Sequence, residues 1–383
     1  MDLEALDATI DEYGFDAYVE YDSSAQNANL YYLTTFLAED PFLFMRSDMQ
    51  STLVVSSMER ERAARTSSVD RVHMREAYLG NTSIPNREQA ATELIASVLR
   101  ANDAHRVAVA HSFPVVLADM VRSKGYELQP ISGTVESLRE IKSPQELKKI
   151  DAVQRACERA LEGALSIVKH STIVGSELHF KGAVVTSERL RATLGCTLIE
   201  QGCTASDTIV SSGADSALPH LPGSGPMRPD APIVFDISPQ SVQSRYNADM
   251  SRTVVCGRPS RELVDMYEAV KDAQAVAFGM VKPGVTGAEV HAAVAEFFEQ
   301  RGFKTDLKRG CGFTHSTGHG VGLEVHELPS IGRTGGVLRP GSVITIEPGL
   351  YYPDIGGVRL EDIAVITKRG YTNLTHFEKK LVI

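Results

Sequence analysis

Apolar positions recur along the first third of this chain in two rhythms, one of helical and one of strand period. Leu3, Leu6 and Ile10 share one face of a predicted helix, and AYVEY follows as a strand. NLYYLTTF comes next, then the apolar run STLVVSS, which leads into the helix-like MERERAART. Further on, RVAVAHSF precedes the amphipathic VVLADMVRSKG. This βα alternation predicts a small α/β domain over residues 1–130. It holds no phosphate loop and no dinucleotide fingerprint. His73, His105 and His111 read as structural or surface residues there.

Residues 131–143 read as a linker, and a second domain spans 144–383. Ser143, Pro144 and Glu146 supply an N-cap, an N1 proline and an N3 acid, so a long helix is expected from residue 144 to about Lys169. A faint internal repeat follows: IVKHSTIVGSELHFKGAV at 167–184 parallels MVKPGVTGAEVHAAV at 280–294. Each copy is expected to end one helix at Val-Lys and begin another, with His179 and His291 at equivalent helix starts. Apolar, β-branched runs follow each copy. The pattern predicts two αα-β halves related by approximate symmetry, with a site buried between them.

Composition narrows the function classes. The chain has 383 residues, enough for two cores, with 43% apolar and 23% charged residues. Its net charge of −10 offers no footprint for nucleic acid or an anionic membrane. The acidic, amphipathic N-terminus lacks the basic leader and apolar core of a signal peptide, and no apolar run is long enough to span a bilayer. Five cysteines without a CxxC pair read as reduced thiols, so a cytoplasmic protein is expected.

The candidate chemistry gathers around HSTGHGVGLEVHELP, which holds His315, His319 and His326. Its glycines argue against a helical zinc box, and alternating Val321, Leu323 and Val325 predict a strand with His319 at its entrance and His326 further along. Taken alone, the stretch also fits a glycine-rich hairpin with satisfied histidines. Four acids decide between the two. Asp236, Asp249, Glu347 and Glu361 each sit in or beside an apolar run of the kind that forms an inner strand. Two like charges ~4 Å apart repel by roughly 4 kcal/mol at an effective dielectric near 20. Pairing with Arg252 and Arg359 accounts for one or two of the acids. Two divalent ions would cancel all four, as in a two-metal hydrolytic centre.

These blocks (FDIS, YNADMSRT, GHGVGLEVHELP, TIEPG and GVRLED, in that order) resemble the pita-bread metallopeptidases: methionine aminopeptidase, prolidase, aminopeptidase P and creatinase. The N-terminal domain makes the resemblance closest to the prolidase (Xaa-Pro dipeptidase) and aminopeptidase P branch. The resemblance implies an α+β pita-bread catalytic domain, a homodimer, and cleavage between an N-terminal residue and proline in dipeptides or short peptides. It implies two divalent ions, of manganese, cobalt, zinc or iron. Asp236 would bind one ion, Asp249 and Glu361 would bridge both, and His319 and Glu347 would complete the other's shell. Glu347 would also move a proton. His220, His326 and His315 would meet substrate, with His220 and His326 on the scissile carbonyl, and Arg359 and Tyr246 would steady the bridging acids.

Two features depart from that pattern. The segment DISPQSVQSRYNAD is slightly longer than is usual in the family, which leaves both acids usable only if its tip absorbs the excess. Ser330 stands where several prolidases carry an arginine that meets a dipeptide's free carboxylate; the nearest arginine is Arg333. Other readings are a related enzyme acting on a non-peptide C–N or C–S substrate, and a binding protein that has lost catalysis. Creatinase works without the metal set and binding descendants usually lose ligands, so the complete set here counts against both.

Overall fold

The computed structural model describes residues 3–80 and 84–383, which form two compact units, Met1–Arg139 and Glu140–Ile383. Residues 1, 2 and 81–83 of the predicted N-terminal domain lie outside the described residues.

In the N-terminal unit six strands form one sheet, in the order Arg71–Met74, Gln50–Val55, Phe42–Ser47, Ala17–Asp22, Arg106–Ala110, Glu127–Ile131. Phe42–Ser47 runs antiparallel to both neighbours, and the other pairings are parallel. Side chains of period two feed both faces: Tyr18 joins one apolar cluster, Ala17 and Val19 the other. Helices Glu4–Tyr13 and Arg87–Ala101 cover these faces with Leu6 and Ile10, and with Leu94, Ile95 and Val98. The stretch read as linker contains a helix, Thr134–Glu140.

The second unit opens on the helix Pro144–Lys169. Ser143 caps it, its side chain accepting from Glu146 N while Glu146 accepts from Ser143 N at 2.8 Å. That helix packs on Ser187–Glu200, and Arg261–Met280 packs on Gly287–Gln300. Each pair backs its own sheet. The first is antiparallel: Ile209–Ser212, Ile233–Ile237 and Met250–Val254. The second runs Glu327–Ile331, Gly318–Gly320, Val343–Ile346, Asp362–Ile366, Tyr371–Asn373. The expected pair of αα-β halves is therefore present.

Two local expectations fail. Residues 172–184 form three short antiparallel strands, and the helix starts only at Ser187, behind its N-cap Thr186. Gly175, Lys181 and Gly182 hold positive φ, which makes tight turns that a helix cannot contain. His179 thus lies in a strand, while His291 lies in a helix, and the two are not equivalent. Likewise, residues 322–326 are a run of bends, and Val321 has no regular structure. The regular strands are Gly318–Gly320 before it and Glu327–Ile331 after it.

Candidate metal centre

The five predicted ligands all come from strands or their ends. Asp236 lies within Ile233–Ile237, opposite Ser251, while Asp249 immediately precedes Met250–Val254. Glu347 follows Val343–Ile346, and Glu361 precedes Asp362–Ile366. His319 is the centre of Gly318–Gly320. A Cβ at Gly318 would lie 2.0 Å from Thr345 O, and one at Gly320 2.2 Å from Leu328 O. Only glycines let this short strand press between its neighbours with an imidazole projecting from its middle. The long Asp236–Asp249 segment spends its extra length in a turn at 242–244, and the register from Asp236↔Ser251 to Ile237↔Met250 is kept.

Asp249, His319 and Glu361 each bring one ligand atom to a common point, all within 4.8 Å of one another. His319 Nε2 is 3.2 Å from Glu347 Oε1 and 3.8 Å from Asp249 Oδ2. Asp236 joins through Ser251, whose Oγ stands 2.9 Å from Asp236 Oδ1 and 2.8 Å from Glu361 Oε2. One hydroxyl proton cannot serve both carboxylates at once. Arg359 donates from Nη2 to Asp236 at 2.6 Å and from Nε to Ser251 at 2.9 Å.

The site is short of positive charge. Burial, and then the charge of Asp236, pushes the Asp249 carboxyl far above its usual range. Burial followed by Asp249 and Glu347 does the same to Glu361. Against its burial, the hydrogen bond and charge of His319 hold Glu347 at about 2. His319, half-buried, is raised to about 9 against its desolvation by that same partner. Four acids thus face one guanidinium and one imidazole. An oxygen-rich set with a single imidazole, carrying excess negative charge, fits hard or borderline divalent cations.

The other histidines divide. His326 stacks edge-on to His319, ring centroids 4.2 Å apart, and stays exposed. Partial desolvation beside its neighbours, and then the His319 charge, lower its pKa, favouring neutral imidazole. His220 is exposed on the loop after Gly213–Ala217. His315, expected to meet substrate, has both ring nitrogens engaged within the chain. Nδ1 donates to Ser316 O at 2.8 Å, and Nε2 accepts from Tyr351 Oη at 2.9 Å. Tyr351 accepts in turn from Arg359 Nη1 at 2.7 Å. A chain of bonds therefore runs from Asp236 through Arg359 and Tyr351 to His315. Tyr246 donates its hydroxyl to Glu146 at 2.6 Å, at the start of the long helix. The hydroxyl that meets Asp236 and Glu361 is that of Ser251, where Tyr246 was expected to steady the bridging acids. Ser251 and Tyr351 were missed, although Ser251 shares a strand face with Asp249 by period two.

Residues 148–368 match metallopeptidase family M24, and residues 3–141 match the creatinase/prolidase N-terminal domain. The chain belongs to metallopeptidase family M24. Among M24 relatives it is 37% identical over 259 residues to an Xaa-Pro dipeptidase of Pyrococcus horikoshii, covering 67% of this chain and 68% of that one. The solved prolidase from Pyrococcus horikoshii superposes with a TM-score of 0.82 at 28% identity, over 99% of both chains. The Xaa-Pro dipeptidase from Bacillus anthracis gives 0.84 at 26%, over 100% of this chain and 99% of that one. This M24 chain is thus a metallopeptidase of pita-bread fold, and its family implies use of divalent metal. Among the described residues, no helix is long and apolar enough to cross a membrane.

Proposed function

We propose that this enzyme hydrolyses the bond between an N-terminal residue and proline in dipeptides and short peptides, using two divalent ions per chain. The observation that carries the reading is the convergence of Asp249, His319 and Glu361, with Glu347 on His319 and Asp236 linked to Glu361 through the Ser251 hydroxyl. Similarity to Xaa-Pro dipeptidases supports the substrate class.

In this reading Asp236, Asp249, His319, Glu347 and Glu361 would hold the ions, with Asp249 and Glu361 the acids that would be shared between them. When bound, divalent cations neutralise the crowded acids and lower the pKa of water toward neutrality. Glu347 would be the carboxylate that accepts a proton from the attacking water and passes it to the departing prolyl nitrogen. His326 and His220 donate hydrogen bonds to the scissile carbonyl as it gains charge. Arg359, braced by Tyr351, keeps Asp236 in place, and His315 supports that brace. The family resemblance supports a homodimer, and the unpaired cysteines fit a cytoplasmic protein; sedimentation measures the first.

Incubation with Xaa-Pro dipeptides, longer Xaa-Pro peptides and proline-free controls, with and without added divalent metal, tests the function. Cleavage confined to Xaa-Pro bonds and dependent on metal is expected. Equal cleavage of the proline-free controls would overturn the substrate assignment.

A further inference from the structure

The side chain next to His326 takes no part in that chemistry. Glu327 opens the strand Glu327–Ile331, and successive strand side chains face opposite ways, so its carboxylate turns from the site. It goes into the protein, 5% exposed, and pairs with the Lys142 ammonium, whose side chain is 1% exposed. Two charges buried this deeply are a weak source of net stability, and the best-attested use of such pairs is to fix a register.

The register at stake is that of residues 321–326, which have no helix or strand of their own. Glu327 organises them by three contacts. Its Oε2 accepts from Glu324 N at 3.3 Å. Its carboxylate fills the space against Gly322, where a Cβ would meet Oε1 at 2.2 Å. Its backbone pairs with Gly320, beside His319. Asn247 grips the same turn, N and Nδ2 donating to Gly322 O at 2.7 and 3.0 Å. Lys142 is itself anchored, through its N to Gly341 O at 3.0 Å and its Nζ to Glu140 O at 3.3 Å. At the end of this clamped loop the His326 ring sits against His319.

We propose that the buried Lys142–Glu327 pair is a positioning device that sets the His326 imidazole by fixing loop 321–326. The proposal rests on the reading of His326 as the group that meets the scissile carbonyl, and its effect on rate follows from that reading. A catalytic imidazole displaced by about 1 Å loses up to about a hundredfold in rate.

The test uses Glu327→Gln and the paired variant Lys142→Met/Glu327→Leu, each made also with His326→Ala. Metal content, melting temperature, kcat and KM are measured. So is the His326 ring NMR signal of the zinc-loaded full-length protein, assigned by its loss in His326→Ala. Glu327→Gln is expected to keep its metal, shift the His326 signal, and lose roughly tenfold in kcat with KM little changed. In the His326→Ala background the same change should cost less than about twofold, since both act through one ring. The paired variant should regain the melting temperature of the parent but not its kcat. An unmoved His326 signal in Glu327→Gln overturns the proposal, as do costs that multiply across the cycle. If His326→Ala alone keeps the parent kcat, the reading of His326 fails, and the ring signal still decides whether the pair positions it.

Discussion

Both units of this molecule bury acids, and they meet the same electrostatic difficulty in different ways. In the N-terminal unit Glu20 lies on a central strand, 1% exposed, and accepts the Tyr18 hydroxyl at Oε1. Among the described residues its Oε2 has no hydrogen-bond partner. Burial raises its pKa to about 7 against that hydrogen bond, with Glu136 and Asp22 adding to the rise and Arg139 opposing it. A proton suffices for one isolated acid. In the catalytic unit Asp249 and Glu361 are also pushed up, but by each other's neighbours as well as by burial, and an imidazole stands among them. A displaced pKa therefore does not by itself mark chemistry. Several acids converging with a metal-ligating imidazole, at strand ends from both halves, do mark it.

The largest expected effect breaks the catalytic side of this contrast. Asp249→Ala should remove both ions and lower kcat/KM by roughly a thousandfold or more, since metal Lewis acidity contributes several kcal/mol. Asp236→Ala should weaken chiefly one ion. Metal analysis alongside Ala-Pro turnover checks both. A doubly loaded Asp249→Ala protein would refute the bridging role.

Next in size is His326→Ala. It should keep its metal and lose about a hundredfold in kcat, on the order of 3 kcal/mol for one oxyanion donor. A near-normal kcat would leave this ring a structural role only.

Glu20→Gln sharpens the other side. With a folded pKa of about 7 against an ordinary 4.5, the native state keeps a proton that the unfolded chain releases between those values. Stability should fall as pH rises through that window and level off above it, by at most about 3 kcal/mol. Glu20→Gln should abolish the slope, raise the melting temperature of the N-terminal unit by several degrees at pH ~8, and leave kcat unchanged. A slope that persists in the variant would assign it to other groups.

The smallest effect concerns substrate length. Ser330 lies in the strand Glu327–Ile331, while Arg333 is exposed in the turn beyond, its charge acting on His291. A fixed cation would make binding depend on a dipeptide's free carboxylate. Without one at position 330, Ala-Pro, its C-terminal amide and Ala-Pro-Ala should show kcat/KM values within a few-fold. Strong preference for the free dipeptide would show that another cation serves.

What could be read in advance follows the range of the forces involved. The capped start at Ser143 is a local matter of three side chains, and it forms as expected. Asp236, Asp249, Glu347 and Glu361 were visible because acids interrupt apolar runs only at a cost, which short-range pattern reveals. Tyr351 was not visible, because its partners lie 8 and 36 positions away and pairing across strands leaves no local trace; Ser251 offered only its period-two place beside Asp249, its partners Asp236 and Glu361 lying 15 and 110 positions away. Gly-Ser-Glu-Leu-His from Gly175 resembles Gly-Ala-Glu-Val-His from Gly287, but only the second starts a helix. The real correspondence is between the N-caps Thr186 and Thr286, each accepting from the backbone N three residues on.

The central claim is that the acids of the catalytic unit and His319 form a site for two divalent ions. Calorimetric titration of manganese into exhaustively chelated protein, with Ala-Pro turnover followed on the same samples, tests it most directly. The account predicts negligible turnover at the start, full activity at two equivalents per chain, and loss of both binding events in Glu361→Ala. Full turnover after chelation, or two ions retained without Glu361, would contradict it.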